Sequence, residues 1–381
     1  MEFPALQHQE EWGGIPLGSR PVKCWKMLNR KKTPEEVPNA DGQQADQGDD
    51  GSQRHDEGGL VLSRHSVKGD TIVTATKQLI VPHLWYDKEA REAAAFYATV
   101  FPESSVTHMT TLRGTPSGDS DVVSFKLWGY KFMAISGGPF FKLNPSISII
   151  VNFDPLAFGG SADEARRRLD AAWEKLSAGG TVLMALDKYP FSDHYGWVQD
   201  RYGMTWQLIL LKPAGVTMPT MVPTLMFTGA NAGKAEAAID FYVSVFGNSH
   251  KGNVMRYGPD QEPERPDSLA HANFLLENFW FAAMDSAREH KFNFNEAVSL
   301  MVNCDDQREI DYYWEKLSAV PAAEQCGWLK DKYGVSWQVV PTAMEEMMQN
   351  GTEAQIARVT QAFLPMKKFD LAALRRAFEE K

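Results

Sequence analysis

Two stretches, near residues 200 and 330, carry the same reactive and polar side chains at the same spacing. Gly196-Trp197-x-x-Asp200-x-Tyr202-Gly203-x-x-Trp206-Gln207 returns as Gly327-Trp328-x-x-Asp331-x-Tyr333-Gly334-x-x-Trp337-Gln338. Each closes on a carboxamide, Gln207 or Gln338, at the end of an apolar strand. A buried amide left unpaired costs about 1–3 kcal/mol, so it either orients a bound molecule or is satisfied by neighbouring backbone. Trp197 and Trp328 could wall an aromatic pocket, although tryptophans at strand spacing usually fill a core. Asp200 and Asp331 sit in Asp-x-Tyr-Gly turns, where a carboxylate commonly accepts from backbone amides. His83, on an early strand, reads either as a hydrogen-bonded strand histidine or as a ligand. Cys304 and Cys326 have no base nearby in sequence, which fits buried, inert thiols.

The elements that must hold these residues repeat as well. Leu79–Tyr86 reads as a strand with Asp87 as N-cap, followed by Ala90, Ala94, Tyr97 and Phe101 at helical spacing. Ser105–Leu112, Val122–Leu127 and Lys131–Ser136 then alternate like strands, with a tight turn at Gly129-Tyr130. A second strand, helix and three strands follow between Ser146 and Leu211. Residues 78–211 therefore hold two βαβββ modules. The whole segment then recurs: Phe96-Tyr97 as Phe241-Tyr242, Phe125-x-Leu127 as Phe274-x-Leu276, and Trp173-Glu-Lys-Leu-Ser177 as Trp314-Glu-Lys-Leu-Ser318. Ordered self-similarity of this length overrides local guesses about fold. The sequence divides into a leader over 1–76, a first copy over 78–211, a linker over 212–222, a second copy over 223–350 and a helical tail over 351–381. Residues 33–59 of the leader have almost no large apolar side chains, so the leader reads as disordered.

Bulk properties narrow the function classes. The 381 residues suit two cores, and 43% of them are hydrophobic. A net charge of -10 argues against nucleic acid or an anionic membrane as partner. No apolar run reaches the roughly 18 residues of a membrane span. Three cysteines and no apolar signal segment point to a reducing, cytoplasmic setting.

On the motif Gly-Trp-x-x-Asp-x-Tyr-Gly-x-x-Trp-Gln, the paired βαβββ modules and the tail around Ala362-Phe-Leu-Pro-Met-Lys-Lys-Phe369, the stretch from Gln78 to Lys381 resembles the PhnB-like branch of the vicinal-oxygen-chelate superfamily. That superfamily includes glyoxalase I, ring-cleaving dioxygenases and bleomycin-resistance proteins. The second copy fits best, through Val302-Asn-Cys-Asp305 and Gln325-Cys-Gly-Trp328. The first departs, with Phe153 and Tyr195 where those cysteines stand. The resemblance implies an α+β fold in which paired modules form two glyoxalase-like open barrels, each with a ligand inside. Single-copy relatives pair as dimers, so fused copies could supply that interface within one chain, and a homodimer is the further assembly option. The branch often carries the label 3-demethylubiquinone 3-methyltransferase. The chain has no Gly-x-Gly-x-Gly or Gly-x-Gly-x-x-Gly turn for S-adenosylmethionine and no alternation of strand and helix, so methyl transfer is rejected.

Catalytic members hold a divalent ion with His, Gln and Glu from the first and last strands of the modules. Here Gln207 and Gln338 stand where a Glu is typical, and a neutral amide is a weaker ligand for a hard cation. The first strands offer His83 and Thr224. The remaining positions offer Ala134 and Ser136, Ala283 and Asp285, Ser148 and Ile150, or Ser299 and Met301. No metal or other cofactor is therefore expected, with a divalent ion as the minority alternative. The leading expectation is metal-independent binding of a small apolar or aromatic molecule by His83, Trp197, Gln207, Trp328 and Gln338. The rivals are a metal-assisted lyase, isomerase or dioxygenase built on His83 and Gln207, and a duplication that serves structure alone.

Overall fold

The computed structural model describes residues 77–212 and 218–380. The leader and the middle of the linker lie outside the described residues. The first module is β1 (Ile80–Tyr86), α1 (Ala90–Val100), β2 (Ser105–Thr115), β3 (Gly118–Leu127) and β4 (Tyr130–Ser136). The second is β5 (Ile147–Phe153), α2 (Ala162–Ser177), β6 (Thr181–Tyr189), β7 (Ser192–Gln199) and β8 (Thr205–Leu210). The third is β9 (Met221–Phe227), α3 (Ala235–Val245), β10 (His250–Arg256), β11 (Leu269–Leu276) and β12 (Phe279–Asp285). The fourth, β13 (Val298–Cys304), α4 (Gln307–Leu317), β14 (Trp328–Lys330) and β15 (Ser336–Pro341), has one strand fewer after its helix. Three helices end the chain: α5 (Thr342–Asn350), α6 (Glu353–Phe363) and α7 (Leu371–Glu379).

Local chemistry sets several of these boundaries. Ser161 caps α2 by accepting from the Glu164 amide, and Asp306 caps α4 by accepting from the Arg308 and Glu309 amides. At α1 the cap position is Glu89 rather than Asp87, and the Glu89 side chain makes no capping hydrogen bond. Thr352 and Gln355 form a reciprocal capping box at the start of α6.

The modules assemble across the copies. The first sheet runs β14-β15-β13-β1-β4-β3-β2 and the second β10-β11-β12-β9-β5-β8-β7-β6, so the outer pair of modules shares one sheet and the inner pair the other. β1 lies antiparallel to β13 with His83 opposite Ser299, and β5 lies antiparallel to β9 with Ser148 opposite Thr224. Neither sheet closes on itself.

Alternation along the strands gives each sheet two faces. Ile80, Leu84 and Tyr86 of β1 and Trp206 and Leu208 of β8 join the core beneath the helices, together with Ala93 and Tyr97 of α1 and Leu169 of α2. Each copy keeps its own contacts inside that core. Tyr97 of α1 meets Trp206 of β8 with ring centroids 5.1 Å apart, and Tyr242 of α3 meets Trp337 of β15 at 5.4 Å, although helix partner and strand belong to different sheets. Apolar packing thus ties the modules of one copy together, while strand pairing ties the copies to each other. The opposite face of each sheet, called the inner face below, carries the candidate site residues.

The two inner faces are covered differently. On the first sheet, Leu112, Val122 and Val340 pack against Met347, Val359, Phe363 and Leu374 of the terminal helices and Phe369 between α6 and α7. On the second sheet, Met184, Tyr195, Trp197 and Met226 pack among themselves with Met284 and Phe292. Gly327 is needed under the terminal segment: its φ is +81°, and a Cβ would stand 2.5 Å from the Phe369 ring.

Candidate functional site: two inner sheet faces

The repeated motif places its residues at matching points of the two sheets. Trp197 of β7 lies opposite Gln207 of β8, and Trp328 of β14 lies opposite Gln338 of β15. Gln207 Nε2 donates to Ser148 Oγ at 2.7 Å, and Gln338 Nε2 donates to Ser299 Oγ at 2.9 Å. The first strands then bring His83 beside Ser299 and Thr224 beside Ser148. His83 consequently shares a sheet with Gln338 and Trp328. The pairing of His83 with Gln207 is corrected by this topology, because those two residues lie on different sheets.

In the first sheet His83, Ser299 and Gln338 form a buried polar row on β1, β13 and β15. The His83 Nδ1 atom is buried and has no hydrogen-bond partner among the described residues. Burial holds the imidazole pKa down to about 4, so the ring is neutral near pH 7. Gln338 bonds only Ser299 among the described residues, which leaves its Oε1 without a donor and not sealed from solvent. The Trp328 ring meets His83 edge-on at 5.6 Å and Trp85 at 5.9 Å, and Trp85 meets Phe141 at 5.1 Å. This is an aromatic wall around two uncommitted polar atoms.

The second sheet has spent its amide differently. Tyr195 OH donates to Gln207 Oε1 at 2.7 Å, so both ends of that carboxamide are engaged within the protein. Two residues before Trp328, the place of Tyr195 is taken by Cys326. Its thiol donates to the Leu364 carbonyl at 3.4 Å, and its backbone amide donates to Met366. Burial pushes that thiol up to about 11, and pushes the Cys304 thiol higher still, so neither is a nucleophile at neutral pH. On the second face it is instead Trp197 Nε1 that is buried without a hydrogen-bond partner among the described residues.

The aspartates of the motif are structural. Asp200 Oδ1 accepts from the Tyr202 and Met204 amides, while Oδ2 accepts from Trp206 Nε1 at 2.7 Å. Asp331 repeats this with Tyr333, Val335 and Trp337, and also accepts from Tyr242 OH at 2.7 Å. Burial raises the Asp200 carboxyl to about 6 against these bonds, which pull it down.

A family model described as 3-demethylubiquinone-9 3-methyltransferase matches residues 78–209 and again residues 219–340. The chain belongs to that PhnB-like family, twice over. It is similar to a solved PhnB protein of Bacillus cereus, a putative 3-demethylubiquinone-9 3-methyltransferase, at 28% identity over 34% of this chain and 98% of that one, with a TM-score of 0.30. Glyoxalase I from Zea mays is similar at 11% identity over 72% of this chain and 98% of that one, with a TM-score of 0.46. A putative dioxygenase from Bacillus subtilis is similar at 12% identity over 78% and 100%, with a TM-score of 0.42. No curated protein matches the chain.

The residues present do not suit the divalent ion that the superfamily implies. The floor of the first sheet offers His83, Ser299 and Gln338, and that of the second offers Thr224, Ser148 and Gln207. Neither set includes an anion to balance the ion's charge. Ala134 and Ala283 face the helix-covered core. Ser136 Oγ accepts from the Ala90 amide, and Asp285 accepts from the amides of Gly233, Ala235 and Leu269, so both are turned to helix ends and loops. Among the described residues no three His, Cys, Asp or Glu gather into a metal-binding group, and no helix is long and apolar enough to cross a membrane.

Sequence reasoning missed Trp85 and Phe141 as walls of the first site and Tyr195 as the partner of Gln207. The departure at Tyr195 from the cysteine of the second copy was the available signal.

Proposed function

We propose that this PhnB-like protein binds a small, largely apolar or aromatic molecule without a metal, on the inner face of its first sheet. His83 and Gln338 orient the ligand and Trp328 stacks beside it, while Trp197 and Gln207 hold the matching positions of the second sheet. The observation that carries this reading is the pairing of an unpartnered, neutral His83 Nδ1 with an open Gln338 Oε1 on either side of Ser299. A buried polar atom left unsatisfied costs about 1–3 kcal/mol, which a ligand offering the complementary group would recover. Sequestration in a reducing, cytoplasmic setting fits this arrangement better than methyl transfer, for which the chain lacks the Gly-rich turn between strand and helix.

Thermal-shift screening against aromatic and quinone-like compounds, followed by calorimetry, tests the reading. A ligand selective for the folded state raises the midpoint. The expected result is a hit whose affinity falls about tenfold in both His83→Ala and Gln338→Ala, as for one lost hydrogen bond each. A hit indifferent to both substitutions would sink it. So would tight, stoichiometric uptake of zinc, nickel, manganese or iron(II) that disappears in His83→Ala.

A further inference from the structure

The terminal helices span the first sheet from rim to rim, and the two rims hold them unequally. Those rims are β14 and β2. The fourth module has no strand corresponding to β6, and the end of the chain stands in for it: the amides of Cys326 and Gly327 donate to the Met366 and Lys367 carbonyls at 2.7 Å each. Further bonds fasten the tail to the same module. Lys368 Nζ donates to Asp311 at 2.5 Å and Lys367 Nζ to Glu324 at 2.9 Å. Gln307 Nε2 donates to the Phe369 carbonyl at 3.1 Å, and Gln307 Oε1 accepts from the Leu371 amide at 2.9 Å.

The β2 rim is held more lightly. Thr110 Oγ1 donates to the Met348 carbonyl at 3.3 Å. Arg113 faces Glu353 at 3.9 Å with both side chains mostly exposed, a pair that solvent screens to little. Among the described residues no backbone-to-backbone bond joins the tail to β2 or β3, and the remaining contact is apolar, at Leu112 and Val122. Bonds within the tail are independent of that rim: Arg358 Nε donates to the Ala377 carbonyl at 2.9 Å and ties α6 to α7.

We propose that α5–α7 and their connections form a lid, hinged on the fourth module and latched at β2, which swings off that rim to uncover the first inner face. The lid's use as a gate rests on the binding reading given above, whereas its movement does not. Val122 is in register with Ile135 and, through it, with Trp85, while Val340 stands two residues past Gln338. The contacts of the lid therefore flank the aromatic wall and the open carboxamide on both sides. Opening at the latch breaks one hydrogen bond, one screened ion pair and an apolar seam; opening at the hinge would break the backbone bonds to Cys326 and Gly327 as well.

Labelling by dithiobis-nitrobenzoate, an aryl disulfide that attacks only exposed thiols, reads the swing in the full chain carrying Cys24→Ser and Leu112→Cys. Peptide mass spectrometry assigns each site, and the buried Cys304 is the internal reference for global unfolding. The thiol placed at position 112 is expected to react at least about tenfold faster than Cys304, because the lid opens below the cost of unfolding the chain. Equal rates at the two sites would mean that the tail leaves only when everything unfolds, and the proposal fails. Should Leu112→Cys not fold, Val122→Cys reports from the same seam. Adding Glu353→Lys, which sets a like charge against Arg113, should quicken labelling at position 112 about threefold and leave Cys304 unchanged. An equal change at both sites, or none at either, overturns the latch. With 1-naphthol bound, as judged by calorimetry, labelling at position 112 should slow, since a molecule held beneath the lid favours the closed state. Bound naphthol that leaves the rate unchanged overturns the gating. If naphthol and the wider screen bind nowhere, the binding reading falls, and the labelling rates still decide whether the lid moves.

Discussion

Gln207 and Gln338 are the third residues of equivalent strands and donate to equivalent serines, yet one amide is saturated and the other is open. The difference traces to the residue two places before each tryptophan. Tyr195 reaches across to Gln207, whereas Cys326 turns to the carbonyls of the terminal segment. A duplicated motif therefore fixes position without fixing role. Each copy of the carboxamide takes its chemistry from a neighbour that the motif does not specify.

The largest expected effect tests what covers the first face. Phe369 is buried against Phe363 and over Gly327, so Phe369→Ala should cost about 3–5 kcal/mol by denaturant unfolding. Hydrogen exchange should then quicken in β14 and β15 while β7 and β8 stay protected. Equal loosening of both sheets would contradict the unequal cover described above.

A pH series separates the faces next. The unfolded imidazole of His83 takes up a proton below about pH 6.5, but the native ring does so only near pH 4. Wild-type protein should therefore lose about 3 kcal/mol more than His83→Leu between pH 7 and pH 4. The raised carboxyl of Asp200 acts in the opposite direction between about pH 4 and 6, but it is common to both proteins and cancels in the difference. Parallel stability curves would mean that His83 is not sealed from water.

The smallest effect compares the amides directly. Gln207→Leu leaves both Tyr195 OH and Ser148 Oγ without a partner, whereas Gln338→Leu releases only Ser299 Oγ. The first substitution should be the more damaging by about 1–2 kcal/mol, read from unfolding midpoints. In Tyr195→Phe the gap should narrow.

Much of the fold was legible because period-2 and period-3.6 patterns repeat in register. The exchange of modules between copies was not. Self-similarity says which modules are alike, but nothing in β1 states whether β5 or β13 will lie beside it. That choice decides the company of His83, which is why its pairing with Gln207 was wrong. Face assignment failed for a related reason. Ala134, Ser136, Ala283 and Asp285 are one residue out of step with the inner face, and a shift of one residue along a strand moves a side chain to the other side. The turn role of Asp200 and Asp331 was readable, because Asp-x-Tyr-Gly satisfies its own amides locally. Their bonds to Trp206 and Trp337 depend on burial that spacing alone cannot report.

The crossing of modules also sets an order on synthesis. Every strand of the second sheet has been made once Asp285 is added, whereas the first sheet waits for Pro341. Until β13 is added, β1 exposes the backbone edge that will pair residue 83 with residue 299. A newly made chain thus carries half a sheet with an open flank, and a neighbouring nascent chain in the same condition offers the same complementary strand later on. Intertwined two-chain products are the natural misassembly of such a nested chain, and crowding on the ribosome would favour them.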